Sequence, residues 1–217
     1  MQAADGMASA DLIVVSTDGA SFSDVEGYMQ HVSELRRSRI AKKRCDGDKL
    51  SALAAGLLVS MELSRRSGIP GSRLRYSHGA FGKPYLKGAE VYFSLSHTNG
   101  AVCAAFSDAE IGADIERRDR RVGERLYSRV LSNGERLQVH SAEDFIRLWV
   151  QKEAFLKRLG TGIANDLRGA DTTIMRDTMA LECGEYLVGI SGADSVELRV
   201  MTLGELLAEF DREGAAV

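Results

Sequence analysis

The sequence contains no run approaching the ~18 consecutive apolar residues that a membrane-spanning helix needs, which argues against an integral membrane protein. It opens Met1-Gln-Ala-Ala-Asp5 without a basic stretch ahead of an apolar one, so a secretory signal is not expected and the protein is read as cytoplasmic. Cysteine is scarce: Cys45, Cys103 and Cys183 are far apart, odd in number and form no CxxC pair. They are expected as reduced thiols, and a cysteine-based zinc site is excluded. An excess of either charge is missing too. With 28 Lys and Arg against 31 Asp and Glu the formal net charge is −3, so no global field favours nucleic acid or an anionic membrane as partner. There is no phosphate-loop glycine signature and no clear internal repeat. What remains is an ordinary globular composition, 44% hydrophobic and 27% charged over 217 residues, enough for one large or two small domains.

The informative stretch runs from Trp149 to Ile163. Phe145, Leu148, Phe155, Leu156 and Leu159 recur at spacings of three, four and seven, which predicts a helix from near Ala142 with one buried stripe, stopped by Gly160 and Gly162. On it Glu153 and Lys157 sit four apart with Trp149 one turn earlier, so a carboxylate and an ammonium share a face, flanked by Lys152. Such a pair also forms as a plain surface salt bridge. A second acidic pair lies in Ile111-Gly-Ala-Asp-Ile-Glu116, which alternates as a strand does and projects Asp114 and Glu116 from one face. Two neighbouring carboxylates repel, and a hard divalent cation such as Mg²⁺ takes oxygen sites of this kind, with Glu153 as a possible third ligand. A solvated strand edge is the simpler alternative.

Other elements fall in order along the chain. Asp11 to Thr17 reads as a buried first strand, Ser23 to Leu35 as a helix, and Leu50 to Arg65 as a well-buried helix capped by Asp48 and closed by Gly68 and Pro70. Leu74 to Tyr85 marks a loop between strands. Val91 to Ser96 and Ala101 to Phe106 read as strands joined by a tight turn at Asn99-Gly100. Short helices are expected at Gly123 to Leu131 and Asn133 to Val139, strands at Glu185 to Ile190 and Val196 to Met201, and a last helix at Leu203 to Glu213. Arg36 to Arg44 concentrates six cations in nine residues, either a solvated face or a phosphate-binding patch. Arg117 to Arg121 adds four more, a solvated turn or a docking surface for an acidic partner. Strand, helices, strands occur twice, suggesting an α+β fold of two similar halves, residues 1–108 and 109–217.

Phe93-Ser-Leu-Ser96-His97-Thr98-Asn-Gly100, then Gly112-Ala-Asp114-Ile-Glu116, then Trp149-Val-Gln-Lys152-Glu153-Ala-Phe-Leu-Lys157-Arg-Leu-Gly160, with Gly82-Lys83-Pro84 ahead of them, resemble the ordered motifs of the surfactin-type 4'-phosphopantetheinyl transferases. The resemblance covers residues 82 to 163 and, more weakly, reaches back to about Arg36. It implies a monomer of two halves related by a pseudo-twofold axis, with the active site in the cleft between them, which moves the phosphopantetheine arm of coenzyme A onto a serine of an apo acyl or peptidyl carrier protein. It implies Mg²⁺ or Mn²⁺ held by Asp114, Glu116 and Glu153. By the same resemblance Glu153 is the base, and Lys157 and Lys152 meet the phosphates. Arg36, Arg39, Ser96 and His97 contact the coenzyme A phosphates, and Gly82, Lys83 and Pro84 line its adenine end. A third basic position of the family falls on Ser51, a departure from the pattern. The mid-chain place of Asp114 favours the two-half branch over the half-length holo-acyl-carrier synthases. Alternatives of other classes are a non-catalytic coenzyme A or nucleotide-binding regulatory module and a small-molecule phosphotransferase.

Overall fold

The computed structural model describes residues 8–162 and 167–214. The leader reading at Met1–Asp5 and the end of the key stretch at Ile163 lie outside the described residues. The chain begins with β1 (Ser9–Ser16), apolar on both faces as a central strand must be. The single helix expected over residues 23–35 is instead divided. After α1 (Phe22–Val25) and a 3₁₀ segment (Glu26–His31), Val32 is extended, and Ser33 caps a new helix, α2 (Glu34–Ala41), by accepting from the Arg36 N–H. The serine that reads as mid-helix by periodicity is a cap. Next, α3 (Asp46–Ser67) starts at Cys45 rather than Asp48, which lies in the first turn where a carboxylate meets the positive helix end; Gly68, at φ +69°, terminates it.

A small hairpin of β2 (Tyr76–His78) and β3 (Pro84–Leu86) follows, then a longer one of β4 (Tyr92–Thr98) and β5 (Ala101–Ser107) around Asn99-Gly100. β6 (Gly112–Arg117) leads to α4 (Glu124–Val130), α5 (Asn133–Arg136) and the long α6 (Ala142–Leu159). The chain ends with β7 (Thr178–Cys183), β8 (Tyr186–Ser191), β9 (Ser195–Thr202) and α7 (Leu203–Gly214). No apolar alternation announces β7, whose residues are mostly half-buried and close a sheet edge. Among the described residues no helix is long and apolar enough to cross a membrane.

Two sheets form the centre, β4-β5-β1-β9 and β6-β8-β7. Strand periodicity sorts the first sheet into two cores. Ile13, Val15, Val102, Ala104 and Phe106 pack on α3 and α7. Leu12, Val14, Cys103 and Ala105 turn the other way and meet Ala113, Ile115, Val188 and Ile190 of the second sheet. A third core joins Phe145, Ile146 and Val150 of α6 to Leu187 and Val130. The fold is thus mixed α+β, layered helix, sheet, sheet, helix. The sheets do not divide at Asp108: β9 lies parallel to β1, Leu12 opposite Leu198, so residues 195–202 complete the first sheet.

α6 rests directly on the second sheet because two glycines leave room. A Cβ on Gly112 would stand 1.9 Å from the Ala154 carbonyl oxygen, and one on Gly189 would stand 2.0 Å from that of Val150. Backbone cannot yield as a side-chain tip can, so Gly189→Ala is expected to lift the helix and cost at least ~2 kcal/mol, at the upper end of overpacking effects. Urea denaturation measures this, and an unchanged midpoint would show that the helix tolerates displacement.

Candidate active site at the seam of two sheets

The site is built where the edge strands β4 and β6 run side by side. Alternate hydroxyls of β4 reach across in register. Ser94 Oγ accepts from the Ala113 N–H at 2.9 Å, Ser96 Oγ donates to Asp114 Oδ1 at 2.7 Å, and Thr98 Oγ1 donates to Glu116 Oε1 at 2.5 Å. Strand alternation places Asp114 and Glu116 on one face, as the sequence predicts, and that face looks toward α6, since Asp114 stands opposite Gly189. Ser94 and Thr98 carry no site role by motif alone; their period-two spacing around Ser96 is the signal for them.

α6 brings the third acid. Ser141 and Asp144 form its capping box, and Gly160, at φ +65°, closes it. The buried face carries Phe145, Ile146 and Val150 and then, unexpectedly for an apolar stripe, Lys152 and Glu153, while Leu159 is 54% exposed in the last turn. Glu153 is only 3% exposed and its Oε1 has no hydrogen-bond partner among the described residues. Burial first, and then the charge of Asp114, push its carboxyl up to about 7, against the opposing pull of Lys157 and Arg120. Lys157 does not pair with Glu153 as an i,i+4 bridge: its Nζ lies 2.6 Å from Asp114 Oδ1 and 2.7 Å from Ser96 Oγ. Glu116 is neutralised in turn by Arg120, whose guanidinium pairs with Oε2 and lies 5.2 Å from the Trp149 ring centre.

The structure therefore gathers Ser96, Asp114, Glu116, Glu153 and Lys157, and it separates Lys152 from them. That lysine is wholly buried on the far side of α6, where Nζ donates to the Val130 and Leu167 carbonyls at 2.8 Å each and pairs with Glu135 Oε2 at 2.6 Å. Its three protons are all engaged, so the expectation that it meets substrate phosphate is corrected: it is a core residue. Burial alone would raise the Glu135 carboxyl, but Lys152 and the N–H groups of Thr172 and Ser132 overcome this and hold it below the usual range.

The remaining expected residues lie around this centre. Lys83 Nζ donates to Glu110 Oε2, the Ile111 carbonyl and the Arg158 carbonyl, latching the β2–β3 hairpin, with Gly82 and Pro84, onto the start of β6 and the end of α6. Its ammonium is spent on the fold. His97 is exposed at the end of β4, and partial burial, helped by Lys43 and Lys157, lowers its pKa, so it is neutral near pH 7. It borders a cavity of about 540 Å³ whose wall includes Cys45, Asp48 and the buried Ser51. Arg36 is half-buried against α3, where Gly56 leaves space for its stem and the Ala52 carbonyl accepts from it at 3.3 Å; Arg39 beside it is exposed. Neither arginine lines that cavity. Of the Arg117–Arg121 run, Arg117 pairs with Asp119 and Glu185, Arg118 with Glu143 and Glu182, and Arg120 with Glu116, while Arg121 is exposed.

Among the described residues, no three His, Cys, Asp or Glu side chains are gathered closely enough, as placed, to grip a metal ion. Asp114 and Glu116 lean toward Lys157 and Arg120 instead. The donor chemistry still fits a hard divalent cation: three carboxylates share one region, and the buried Glu153 Oε1 beside Asp114 has no partner among the described residues.

Comparison with known proteins gives the family. The 4'-phosphopantetheinyl transferase superfamily model matches residues 110–183, which contain all three acids and Lys157. The chain is 27% identical over 159 residues to 4'-phosphopantetheinyl transferase Sfp of Bacillus subtilis (strain 168), covering 70% of each. It is 32% identical over 144 residues to 4'-phosphopantetheinyl transferase AcpT of Salmonella typhimurium, covering 62% of this chain and 71% of that one. The protein is thus an enzyme of the 4'-phosphopantetheinyl transferase superfamily, of the Sfp type.

Proposed function

We propose that this enzyme transfers the 4'-phosphopantetheine arm of coenzyme A to a serine hydroxyl of an apo acyl or peptidyl carrier protein, with Mg²⁺ bound, and releases 3',5'-ADP. The observation that carries the reading is the Glu153 carboxyl, buried, with Oε1 lacking a partner among the described residues and its pKa raised to about 7, beside Asp114 at the seam. A carboxylate with that pKa takes a proton readily near neutrality. In the proposed reaction the serine oxygen attacks the β-phosphorus of coenzyme A, Glu153 accepts the hydroxyl proton, and the phosphoanhydride bond breaks toward the 5'-phosphate of the departing 3',5'-ADP. Lys157, its ammonium at the seam, stabilises the charge gathering on that leaving phosphate. Ser96 holds Asp114 and Lys157 in relation to each other. A divalent cation held by Asp114, Glu116 and Glu153 would spread the phosphate charge. His97 and the basic residues Arg36 and Arg39 remain the proposed contacts to the other phosphates, with Gly82, Lys83 and Pro84 toward the adenine.

The same reading takes the molecule as two halves about a pseudo-twofold axis. In support, one long helix of each half, α3 or α6, lies on one of the two sheets, the first of which β9 completes, and the sheets meet face to face. It takes the protein as a cytoplasmic monomer, and its three cysteines, all free, agree with a reducing compartment. Carrier docking by the Arg117–Arg121 run falls chiefly to the exposed Arg121, since Arg117, Arg118 and Arg120 are engaged within the chain.

Mass spectrometry of an apo-carrier protein incubated with coenzyme A, Mg²⁺ and this enzyme tests the proposal. The expected result is a carrier heavier by one phosphopantetheine with 3',5'-ADP released. Coenzyme A binding without any change in carrier mass would instead select the regulatory-module reading.

A further inference from the structure

Arg120 closes the acidic end of the seam. Its guanidinium pairs with Glu116 Oε2, four residues earlier, and lies over the Trp149 ring, one helical turn before Glu153. The two oxygens of Glu116 are held in different ways. Oε1 accepts from Thr98 Oγ1 at 2.5 Å and from the Arg117 N–H at 2.9 Å, donors fixed by the strands. Oε2 meets a half-exposed side chain just past the turn that ends β6. One oxygen therefore aims the carboxylate, and the other can exchange its partner without disturbing that aim. The indole face binds a guanidinium in its own right. It already holds Arg120 in the paired state and can keep it when Glu116 is taken, and because the arginine also acts on Glu153 electrostatically, its charge lies within reach of two of the three acids.

We propose that Arg120 is a resident counter-ion of the acid cluster, neutralising Glu116 until a divalent cation takes Oε2 and thereafter held by the face of Trp149 alone. This rests on the reading of Asp114, Glu116 and Glu153 as metal ligands. Without such a cation, Asp114 is matched by Lys157 and Glu116 by Arg120, so the buried acids do not repel one another unopposed. With it, the affinity for metal is lowered by the work of displacing a paired charge, and the released guanidinium stays tethered beside the site with its donors free for phosphate oxygens.

Trp149 is the chain's single tryptophan, so its emission reports on Arg120 directly. The experiment compares the full chain with Arg120→Gln and Arg120→Lys, without coenzyme A. Mn²⁺ binding is followed from the free-ion paramagnetic resonance signal, and tryptophan fluorescence is followed during Mg²⁺ titration. Arg120→Gln is expected to bind Mn²⁺ about three- to tenfold more tightly, the scale of losing one half-exposed charge contact. Arg120→Lys should stay within about twofold of the parent, because the charge is kept. Mg²⁺ should change Trp149 emission in the parent and much less in Arg120→Gln. Equal Mn²⁺ affinities in the parent and Arg120→Gln would overturn this proposal while leaving the metal reading intact, whereas no binding in any of the three would overturn both. Should Arg120→Gln fail to fold, a parent emission that is unchanged by Mg²⁺ at saturating concentration would overturn it equally.

Discussion

Glu153→Gln is expected to lower turnover roughly 100- to 10,000-fold, the range over which a positioned general base contributes. The substitution keeps the side chain's shape and removes the charge, so the fold should survive. Stability supplies the control, and its sign follows from the raised pKa. An acid that titrates near 7 when folded and near 4.5 in the unfolded chain binds its proton more tightly in the native state. Its charge therefore costs nothing below about pH 4.5, and native stability falls as pH rises from there through about 7. At pH 8, in the presence of a chelator, Glu153→Gln should be more stable than the parent by roughly 2 to 4 kcal/mol, and the two should converge in acid. Adding Mg²⁺ at pH 8 should close much of this gap, because a cation relieves a buried carboxylate and does little for an amide. Paired denaturation curves across pH and a carrier-modification assay check both halves. A variant that modifies carrier at the parent's rate would remove Glu153 from the base's role.

The acid set and the seam were legible in the sequence to different degrees, for physical reasons. Asp114 and Glu116 share a face because side chains alternate along any strand, so their convergence follows from spacing alone. Which element faces them is a tertiary matter. It depends on Gly112 and Gly189, whose missing side chains admit α6 to the sheet, and no periodicity marks a glycine opposite a helix. The same limit explains β9. Its alternation announces a strand, but its pairing with β1, more than 180 residues earlier, depends on long-range register that local pattern does not encode. The division at Ser33 shows the reverse case: a serine inside an apparently helical stretch also fits a cap, and only the extended backbone at Val32 decides between the two. Lys152 shows how a shared helix face misleads. Neighbouring residues 152 and 153 are about 100° apart around the helix, enough to put one in the core of α4–α6 and the other at the seam.

That placement leads to the largest expected stability effect. Lys152→Met leaves Glu135, fully buried, without its cation, and leaves the Val130 and Leu167 carbonyls without their donor. Breaking one side of a buried ion pair costs ~3 to 5 kcal/mol, mostly the burden of the stranded charge. The Ser132 N–H, at 2.7 Å, and the Thr172 N–H and Oγ1, at 2.9 and 2.8 Å, still support the carboxylate and keep the loss from being greater. Removing the charge as well, in Lys152→Met with Glu135→Gln, should recover part of the loss, and a double-mutant cycle by urea denaturation measures how much. The pH dependence runs opposite to that of Glu153. Because the folded Glu135 carboxyl is held below its unfolded value of 4.5, its contribution is fully present above that pH and disappears as acid titrates the folded group. The same variant separates a core lysine from a phosphate-binding one. Assayed at a temperature where it remains folded, it should keep the parent's KM for coenzyme A, since Nζ is turned away from the seam. A KM raised severalfold in a fully folded sample would return Lys152 to the substrate.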